Sequence, residues 1–214
     1  THRWVGKIIT VSPKRKINTK IIEVESDWSS ASYYYSLCAL SPNSEITLST
    51  YKKNSLQGDS ILATLYSRLG VETIFENNKL LLKNKNIIIN RGLNLNLKST
   101  PDIAQTIAVT CFGLGVECNI RGLHTLKIKE TDRLVALKNE FEKLGGEIEI
   151  TNESLHLKRS DIINENISIS TYDDHRMAMA FAPLATKVSI QIEDPNVVSK
   201  SYPTFWEDFK KTTT

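Results

Sequence analysis

The amino-acid sequence predicts an α/β fold built from one structural unit that occurs three times, the third time incompletely. Two observations lead to this prediction. Residues 69–83 and residues 144–158 match without gaps at seven of fifteen positions, which identifies an internal repeat. Each matching segment also joins the end of a helical pattern to two short alternating strands. The order of the unit is therefore strand, helix, strand, helix, strand, strand.

The first copy, about residues 20–92, follows this order throughout. Its predicted elements are strand Ile21–Val24, helix Ser29–Leu40, strand Glu45–Ser49, helix Leu56–Leu69 and strands Thr73–Phe75 and Leu80–Leu82. Gly70 stands where the end of a helix favours a left-handed residue, and an Asn-containing turn joins the last two strands.

The second copy, about residues 93–160, repeats the pattern. Its predicted elements are strand Leu93–Lys98, helix Pro101–Phe112, strand Val116–Ile120, helix Thr131–Leu144 and strands Ile148–Ile150 and Leu155–Leu157. Thr100 is expected to cap the helix that follows it, with Pro101 at the first helical position. The later helix carries an apolar stripe at Leu134, Leu137, Phe141 and Leu144, and Gly145 ends it.

The third copy, residues 161–214, stops early. It provides strand Ile167–Ser170, helix Asp174–Ala185, strand Val188–Ile192 and helix Pro203–Lys210, but no closing pair of strands. Residues 1–20, with the basic run Lys14–Lys16, fit none of the three units and look like the end of a preceding one. We therefore expect the chain to be a piece of a longer protein whose other end supplies the missing hairpin.

Composition argues against several classes of protein. The net charge is +3 and no long run of Lys and Arg occurs, so a nucleic-acid partner is not expected. No apolar stretch is long enough to span a bilayer, and no membrane association is expected. Cys38, Cys111 and Cys118 form no CxxC pair and lie in apolar runs, which is typical of buried thiols in a reducing, cytoplasmic environment. The His residues lack metal-ligand spacing and no Gly-rich phosphate loop is present, so no metal and no cofactor is expected.

Three stretches place charged residues where a loop meets the start of a helix: Lys129–Arg133, Asp173–Arg176 and Ser199–Pro203. For the first, a simple solvated helix start with Thr131 or Asp132 as the cap is an equal alternative. The second precedes an apolar helix, which should hold its charges at the edge of the core. An Arg there opposes the helix dipole unless it binds an anion.

The repeat predicts that these junctions meet, because equivalent junctions of repeated units lie at one end of the assembly. We expect a common face formed by Asp102, Glu130–Arg133, His175, Arg176 and Lys200. Helix N-termini and cationic side chains favour phosphate or carboxylate there, and the carboxylates are suited to proton transfer.

Five strings of the sequence resemble the enolpyruvylshikimate-phosphate synthase family (3-phosphoshikimate carboxyvinyltransferases). They are ESDWSSASYYY, TPDIAQTIAV, LKIKETDRL, YDDHRMAMAF and SKSYPTFWEDF, and the similarity runs over essentially the whole chain. The resemblance implies an enolpyruvyl transferase-type lobe, an inside-out α/β barrel of three such repeats. It also implies that residues 1–24 end an N-terminal lobe and that residues 25–214 form the C-terminal lobe without its closing segment.

The resemblance also implies an activity and a role for each site residue. The family moves the carboxyvinyl group of phosphoenolpyruvate to shikimate 3-phosphate, a step of aromatic amino-acid biosynthesis. Asp102 and Glu130 match its proton-transfer residues, and His175 lies beside them. Arg133, Arg176 and Lys200 match groups that bind phosphoenolpyruvate, and Lys129 matches a contact to the shikimate phosphate. Thr125 replaces an Asn that makes a further phosphate contact in some members, and its hydroxyl can still donate a hydrogen bond.

Two alternatives to this function stay open. The UDP-N-acetylglucosamine enolpyruvyl transferases share the fold but not the paired motifs KETDR and DHRMAM. A non-catalytic homologue could act as a binding module, although Asp102, Glu130, Arg133, Arg176 and Lys200 are all retained. In the favoured interpretation the partners are the two small-molecule substrates and the N-terminal lobe, the intact protein is a monomer, and this chain alone is inactive.

Overall fold

The computed structural model describes residues 2–13, 19, 21–89 and 91–213. The basic run Lys14–Lys16 of the predicted tail lies outside these residues. The α-helices are α1 Trp28–Leu40, α2 Leu62–Ser67, α3 Ala104–Gly113, α4 Arg133–Lys143, α5 His175–Phe181 and α6 Phe205–Thr213. The strands are β1 His2–Val5, β2 Ile8–Val11, β3 Glu45–Ser49, β4 Val71–Glu76, β5 Lys79–Asn84, β6 Leu93–Asn96, β7 Cys118–Arg121, β8 Ile148–Ile150, β9 Ser154–Leu157, β10 Ile167–Ile169 and β11 Ile190–Ile192.

The first helix of each repeat lies at the centre of the molecule. Helices α1, α3 and α5 are buried along almost their whole length, and α3 packs against both of the others. Most of their residues are apolar, aromatic or small and polar, which is the pattern of a helix surrounded by protein, and the basic residues His175 and Arg176 lie in the first turn of α5. The sheets lie outside these helices. The predicted inside-out α/β arrangement is therefore confirmed.

Each repeat contributes its own sheet. Strands β3, β5 and β4 form an antiparallel sheet in that order, and β6, β7, β9 and β8 form the second, in which only β6 and β7 are parallel. Strands β10 and β11 form a parallel pair. Among the described residues, only the second repeat therefore carries the whole order of strand, helix, strand, helix, strand, strand.

The predicted strand Ile21–Val24 is wrong. These residues form no strand, and the side chains of Ile21, Ile22 and Val24 are 101%, 78% and 81% exposed. The backbone oxygen of Glu23 accepts from the Lys52 Nζ, and the Glu23 carboxylate accepts from Asn78. The segment is thus held by polar contacts beyond the end of β3 and buries none of the apolar surface that would stabilise a strand.

Two predicted helix starts are also wrong. The helix expected at Leu56–Leu69 is a 3-10 turn, Gly58–Ile61, followed by the short α2, and the Leu56 side chain is 102% exposed. Gln57 is used as a connector instead, because its side chain accepts from Trp28 N–H and donates to the Ser26 carbonyl. Thr100 makes no side-chain cap, since the chain enters α3 through the 3-10 turn Pro101–Ile103.

The turns follow the sequence closely. Gly70 and Gly145 adopt φ +85° and +87° after the helices of the first and second repeats, as the repeat predicts. Asn77 and Asn78 have φ +49° and +59° and close the hairpin of β4 and β5. Asp132, one of the two proposed cap residues, accepts from the N–H groups of Leu134 and Val135 and so begins α4.

The core contains the three thiols predicted to be buried. Cys38, Cys111 and Cys118 are free and fully buried. A hydrogen bond with Cys118 and burial together raise the pKa of Cys111 well above its usual range, and burial also raises that of Cys38. Cys38 and Cys111 are therefore poor nucleophiles. Over the described part of the chain, the structure contains no helix with the length and apolar character needed to cross a membrane.

Candidate active site

The N-terminal ends of α3, α4 and α5 meet at one face of the molecule. Asp102 lies on the 3-10 turn before α3, Glu130 lies just before α4, and His175 and Arg176 begin α5. The buried apolar faces of these helices bring their first turns together, so charged side chains from the second and third repeats come into contact. The predicted meeting of junctions is visible in the ion pairs described next.

Arg133 is the centre of this cluster. Its guanidinium donates to three carboxylates: Nε to Asp174 at 2.6 Å, Nη1 to Asp102 at 3.1 Å and Nη2 to Glu130 at 2.6 Å. A further bond from Nη2 to Asp174 at 3.3 Å makes the Asp174 contact two-pronged. The Arg133 side chain is 1% exposed and that of Asp174 is 0% exposed. A buried cation is stable here because nearly every N–H it carries has an acceptor.

Asp102 is shared between three cations. Besides Arg133, its carboxylate lies 3.1 Å from the Lys129 Nζ and 3.7 Å from the Arg176 Nη2. Arg176 also donates to the Asp102 backbone oxygen at 3.3 Å. Lys129, Arg133 and Arg176 are therefore neutralised by carboxylates of the protein, and an anionic ligand would have to compete with Asp102 and Glu130 for them.

The same neighbours control the ionisation of the two acids. Burial alone would raise the pKa of Asp102, but Arg176, Lys129 and Arg133 outweigh it and hold that pKa below its ordinary value. Burial likewise opposes the ionisation of Glu130, whose pKa is nevertheless lowered by a backbone N–H and by Arg133, His175 and Arg176. Both groups are carboxylates at neutral pH, and each can accept a proton.

His175 lies close to the carboxylates of Glu130 and Asp174, and one of its ring nitrogens lacks a hydrogen-bond partner among the described residues. Its Nδ1 is 3.8 Å from Glu130 and 3.9 Å from Asp174, is buried, and has no hydrogen-bond partner among the described residues. Burial lowers the pKa of His175 below its ordinary value, Arg176 and Arg133 add to this, and Asp174 and Glu130 oppose it. The ring is therefore neutral at neutral pH.

A left-handed turn immediately precedes α5. The Asp174 N–H donates to the Thr171 carbonyl at 2.9 Å, and the two residues between them, Tyr172 and Asp173, both have φ +55°. Such a turn favours Asn and Gly, and a left-handed backbone costs other residues about 1–2 kcal/mol each. The chain tolerates this cost directly beside His175 and Arg176.

The two remaining predicted residues lie at the edge of the cluster. The Lys200 Nζ donates to the Asp173 backbone oxygen at 2.9 Å, which attaches the end of the 3-10 turn Pro195–Lys200 to the left-handed turn. Thr125 lies on the 3-10 turn His124–Ile128, and its buried hydroxyl has no partner within the described ranges. Among the described residues, no hydrogen bond of the Thr125 hydroxyl joins it to the Arg133 cluster.

Sequence reasoning missed several members of the site. Asp174 was assigned no role, although it anchors Arg133 and its side chain caps α5 through the Arg176 N–H. Its position before an apolar helix was the available signal. From the first repeat, Asp59 accepts a hydrogen bond from Ser29, and burial raises the pKa of Asp59 while Arg176 opposes that rise. No pattern in the sequence linked Asp59 to Arg176.

One group of side chains has the spacing of metal ligands. Glu130, Asp174 and His175 each place one ligand atom within 4.8 Å of the others. Arg133 already donates to both carboxylates, so a metal ion would have to displace its guanidinium. The expectation that the site uses no metal stays a prediction.

The cluster is partly accessible: Arg133 and Asp174 are buried, whereas the side chains of Asp102, Lys129 and Glu130 are 29%, 32% and 37% exposed. Cavities of about 550 and 610 Å³ lie elsewhere: the first beside the start of α1 and the second between α2 and β4. No predicted site residue lines either of them. The arrangement can supply cations, two carboxylates and a neutral imidazole to a ligand bound against this face.

Comparison with known proteins assigns the family. A sequence model of the EPSP synthases (3-phosphoshikimate 1-carboxyvinyltransferases) matches residues 2–209. The chain belongs to the EPSP synthase family. The 3-phosphoshikimate 1-carboxyvinyltransferase of Bacteroides fragilis is 46% identical over 191 residues, which are 88% of this chain and 46% of that protein. That of Pasteurella multocida is 33% identical over 192 residues, or 89% and 42% of the two chains.

Solved structures agree on the fold of the EPSP synthase family. An EPSP synthase from Acinetobacter baumannii superposes with a TM-score of 0.77 at 17% identity, covering 99% of this chain and 51% of that one. The enolpyruvyl transferase NikO from Streptomyces tendae gives 0.63 at 12% identity, over 88% and 43% of the two chains. The chain spans about half the length of the curated relatives it matches.

Proposed function

We propose that this chain is the C-terminal lobe of a two-lobed enzyme that transfers the enolpyruvyl group of phosphoenolpyruvate to shikimate 3-phosphate, a step of aromatic amino-acid biosynthesis. Residues 1–24 would end the N-terminal lobe and residues 25–214 would form the C-terminal lobe. The open face around Arg133 would then be one wall of a cleft. The coverage of about half of each relative supports this division.

The cations of the face are suited to the two anionic substrates. Arg176 and Lys200 would bind phosphoenolpyruvate, and Lys129 with Thr125 would bind the phosphate of the shikimate. Planar guanidinium groups match carboxylate and phosphate oxygens in a two-pronged way, which supports this role for Arg176. Arg133 could join them only after Asp102 or Glu130 releases it, because its donors are occupied in this structure.

The carboxylates would move the protons. In the addition step, the shikimate hydroxyl loses its proton to Asp102 as its oxygen bonds to the central carbon of phosphoenolpyruvate, and Glu130 gives a proton to the methylene carbon. In the elimination step, a methyl proton returns to Glu130 as the bond to the phosphate oxygen breaks, and the departing phosphate takes the proton held by Asp102. Because the pKa of Glu130 is lowered in this structure, it must take up a proton before the addition step.

One observation carries the proposal. A single guanidinium, Arg133, joins Asp102 from the start of α3, Glu130 from the start of α4 and Asp174 from the start of α5. A stable fold requires Asp174 as the partner of the buried Arg133, but it has no need of the partly exposed carboxylates of Asp102 and Glu130. An enzyme that must deliver and remove protons beside anionic groups does need them.

The test is phosphate release by the two-lobe protein, meaning this chain joined to its N-terminal lobe. We expect phosphate release that requires both phosphoenolpyruvate and shikimate 3-phosphate. Two controls belong to it: the 214-residue chain alone should release no phosphate, and UDP-N-acetylglucosamine should not serve as the acceptor. Release with that nucleotide sugar alone would assign the sister activity, and no release with either acceptor would indicate a binding module.

A further inference from the structure

Helix α4 places two charged side chains against the segment that enters α5. Arg133 at its first position contacts Asp174, and Glu140, two turns later on the same face, contacts residues just before it. Glu140 is fully buried and lies outside the cluster of candidate catalytic residues. A buried carboxylate is costly unless it is fully hydrogen-bonded, so its partners indicate what it does.

The Glu140 carboxylate has three donors. It accepts from the Tyr172 hydroxyl at 2.6 Å, from the Ser170 N–H at 3.2 Å and from the Lys143 Nζ at 2.8 Å. Tyr172 is the first of the two left-handed residues in the turn that leads to Asp174. The carboxylate therefore holds the side chain of a bulky residue whose left-handed backbone is unusual for its type.

The turn is also held from its other side. Lys200 donates to the backbone oxygen of Asp173, the second left-handed residue. After the turn, Asp174 fixes Arg133, and the side chains of His175 and Arg176 enter the cluster. The backbone at Tyr172 and Asp173 thus determines where these three functional side chains begin.

We propose that Glu140 is a positioning residue: by holding the Tyr172 hydroxyl it keeps the left-handed turn 171–174 in place, and through the turn it sets His175 and Arg176 in the site. The role in catalysis rests on the function proposed above. Left-handed residues other than Gly persist only where their surroundings fix them, and such sites cluster beside functional groups. Glu140 and Tyr172 provide that fixation without touching a substrate.

The experiment compares Tyr172→Phe and Glu140→Gln in the two-lobe protein. The first removes one hydroxyl and keeps the ring, which packs against the core. Glu142→Gln is the matched control, because Glu142 is an exposed residue of the same helix. For each variant we measure KM for phosphoenolpyruvate, kcat, and the pKa of His175 by NMR. A His175→Gln variant assigns the His175 resonance. The melting temperature is recorded for each variant.

We expect KM for phosphoenolpyruvate to rise about tenfold in both variants, as for a small misplacement of a binding group. The pKa of His175 should move toward its ordinary value, and Glu142→Gln should change neither quantity. A lower melting temperature with unchanged KM and unchanged His175 titration would show that Glu140 only stabilises the fold. If the wild-type protein lacks the transferase activity, the proposed function fails, and the His175 titration alone still decides whether Glu140 positions the turn.

Discussion

At the scale of single residues, Arg133 links the structure of the site to its chemistry. It is buried, and two of the three acids that neutralise it, Asp102 and Glu130, are also the acids proposed to move protons. Glu130 and Asp102 are therefore not free surface carboxylates, since each is held in a fixed direction by a shared guanidinium. Such fixed geometry is what proton transfer between positioned groups requires.

Removing the charge of Asp174 from its buried pair with Arg133 should be strongly destabilising. Asp174→Asn keeps the side-chain shape and can still cap α5, but it leaves the buried guanidinium with one fewer charged partner. We expect a loss of about 3 kcal/mol in the free energy of unfolding, measured by urea denaturation. Asp161→Asn is the control, because that residue pairs with Arg159 on the surface, and it should leave the urea midpoint unchanged. A loss under about 0.5 kcal/mol for Asp174→Asn would show that the pair is not important for stability.

His175 should make stability depend on pH. Its pKa in the folded chain is below the ordinary 6.5, so as pH falls below 6.5 the unfolded chain binds the proton first. Stability due to this residue is then complete above 6.5 and decreases as pH falls, until the folded His175 also protonates.

We expect the wild-type chain to lose more stability than His175→Gln when thermal unfolding is compared between about pH 8 and about pH 5. An identical pH dependence for the two proteins would mean that the pKa of His175 is not lowered. His156 pairs with Glu117 at the surface in both proteins, so its contribution to the pH dependence cancels in the comparison.

At the scale of elements, the repeat allowed most helices and strands to be predicted. The elements that were predicted wrongly share one physical cause. Helix α4 and strands β4 and β5 were predictable because a local pattern and a local partner coincide there. Segment 21–24 has the composition of a strand but does not pair with β3, which is an edge strand of its sheet among the described residues, and pairing is not encoded in the segment itself. The predicted start of the helix before α2 was wrong because the Gln57 side chain accepts a hydrogen bond from the Trp28 N–H at the start of α1. Hydrophobic periodicity does not reveal such a contact.

The site residues also divide into those that the repeat predicts and those that depend on contacts between elements. The meeting of Asp102, Glu130, Arg133, His175 and Arg176 was predictable because the repeat places equivalent junctions together. The buried role of Asp174 and the contact of Glu140 with Tyr172 were not, since each depends on how α4 packs against the segment before α5. The same spacing of 75 residues that separates Leu69 from Leu144 also separates Asp27 from Asp102, so Asp27, the cap of α1, is the counterpart of Asp102 in the first repeat.

Gly122 lies where the chain after β7 approaches the chain after β6 closely in the second repeat. It has φ +83° at the end of β7, and a Cβ there would lie 2.6 Å from the Lys98 backbone nitrogen and 2.8 Å from the Lys98 Cα. Gly6 also has positive φ, at +61°, but a Cβ there would meet nothing within 4 Å.

We expect Gly122→Ala to lower the free energy of unfolding by about 3 kcal/mol, through backbone strain plus a clash with backbone atoms that cannot move aside. Gly6→Ala should carry the strain alone and cost about 1 kcal/mol in the β1–β2 hairpin. Equal, small effects of the two substitutions in urea unfolding would contradict the close approach of β6 and β7 at this point.

At the scale of the whole molecule, helices α3, α4 and α5 direct their N-termini toward one face. In the described part of the chain, the first and third repeats each lack part of the strand order that the second repeat carries. An open face with neutralised cations is not a complete binding site. It is suited to be closed by another lobe that brings substrate and further charges, as the proposed function requires. The family assignment and the coverage of about half of each relative fit this arrangement.

The most direct test of the central claim is the turnover of Glu130→Gln in the two-lobe protein, with phosphoenolpyruvate and shikimate 3-phosphate both saturating. Gln keeps the size of the side chain and can still accept from Arg133, but it cannot carry a proton. Glu149→Gln, an exposed acid of β8, is the control and should leave kcat unchanged. We expect the kcat of Glu130→Gln to fall by at least about 10²-fold. A kcat close to that of the wild type would contradict the assignment of proton transfer to the Arg133 cluster.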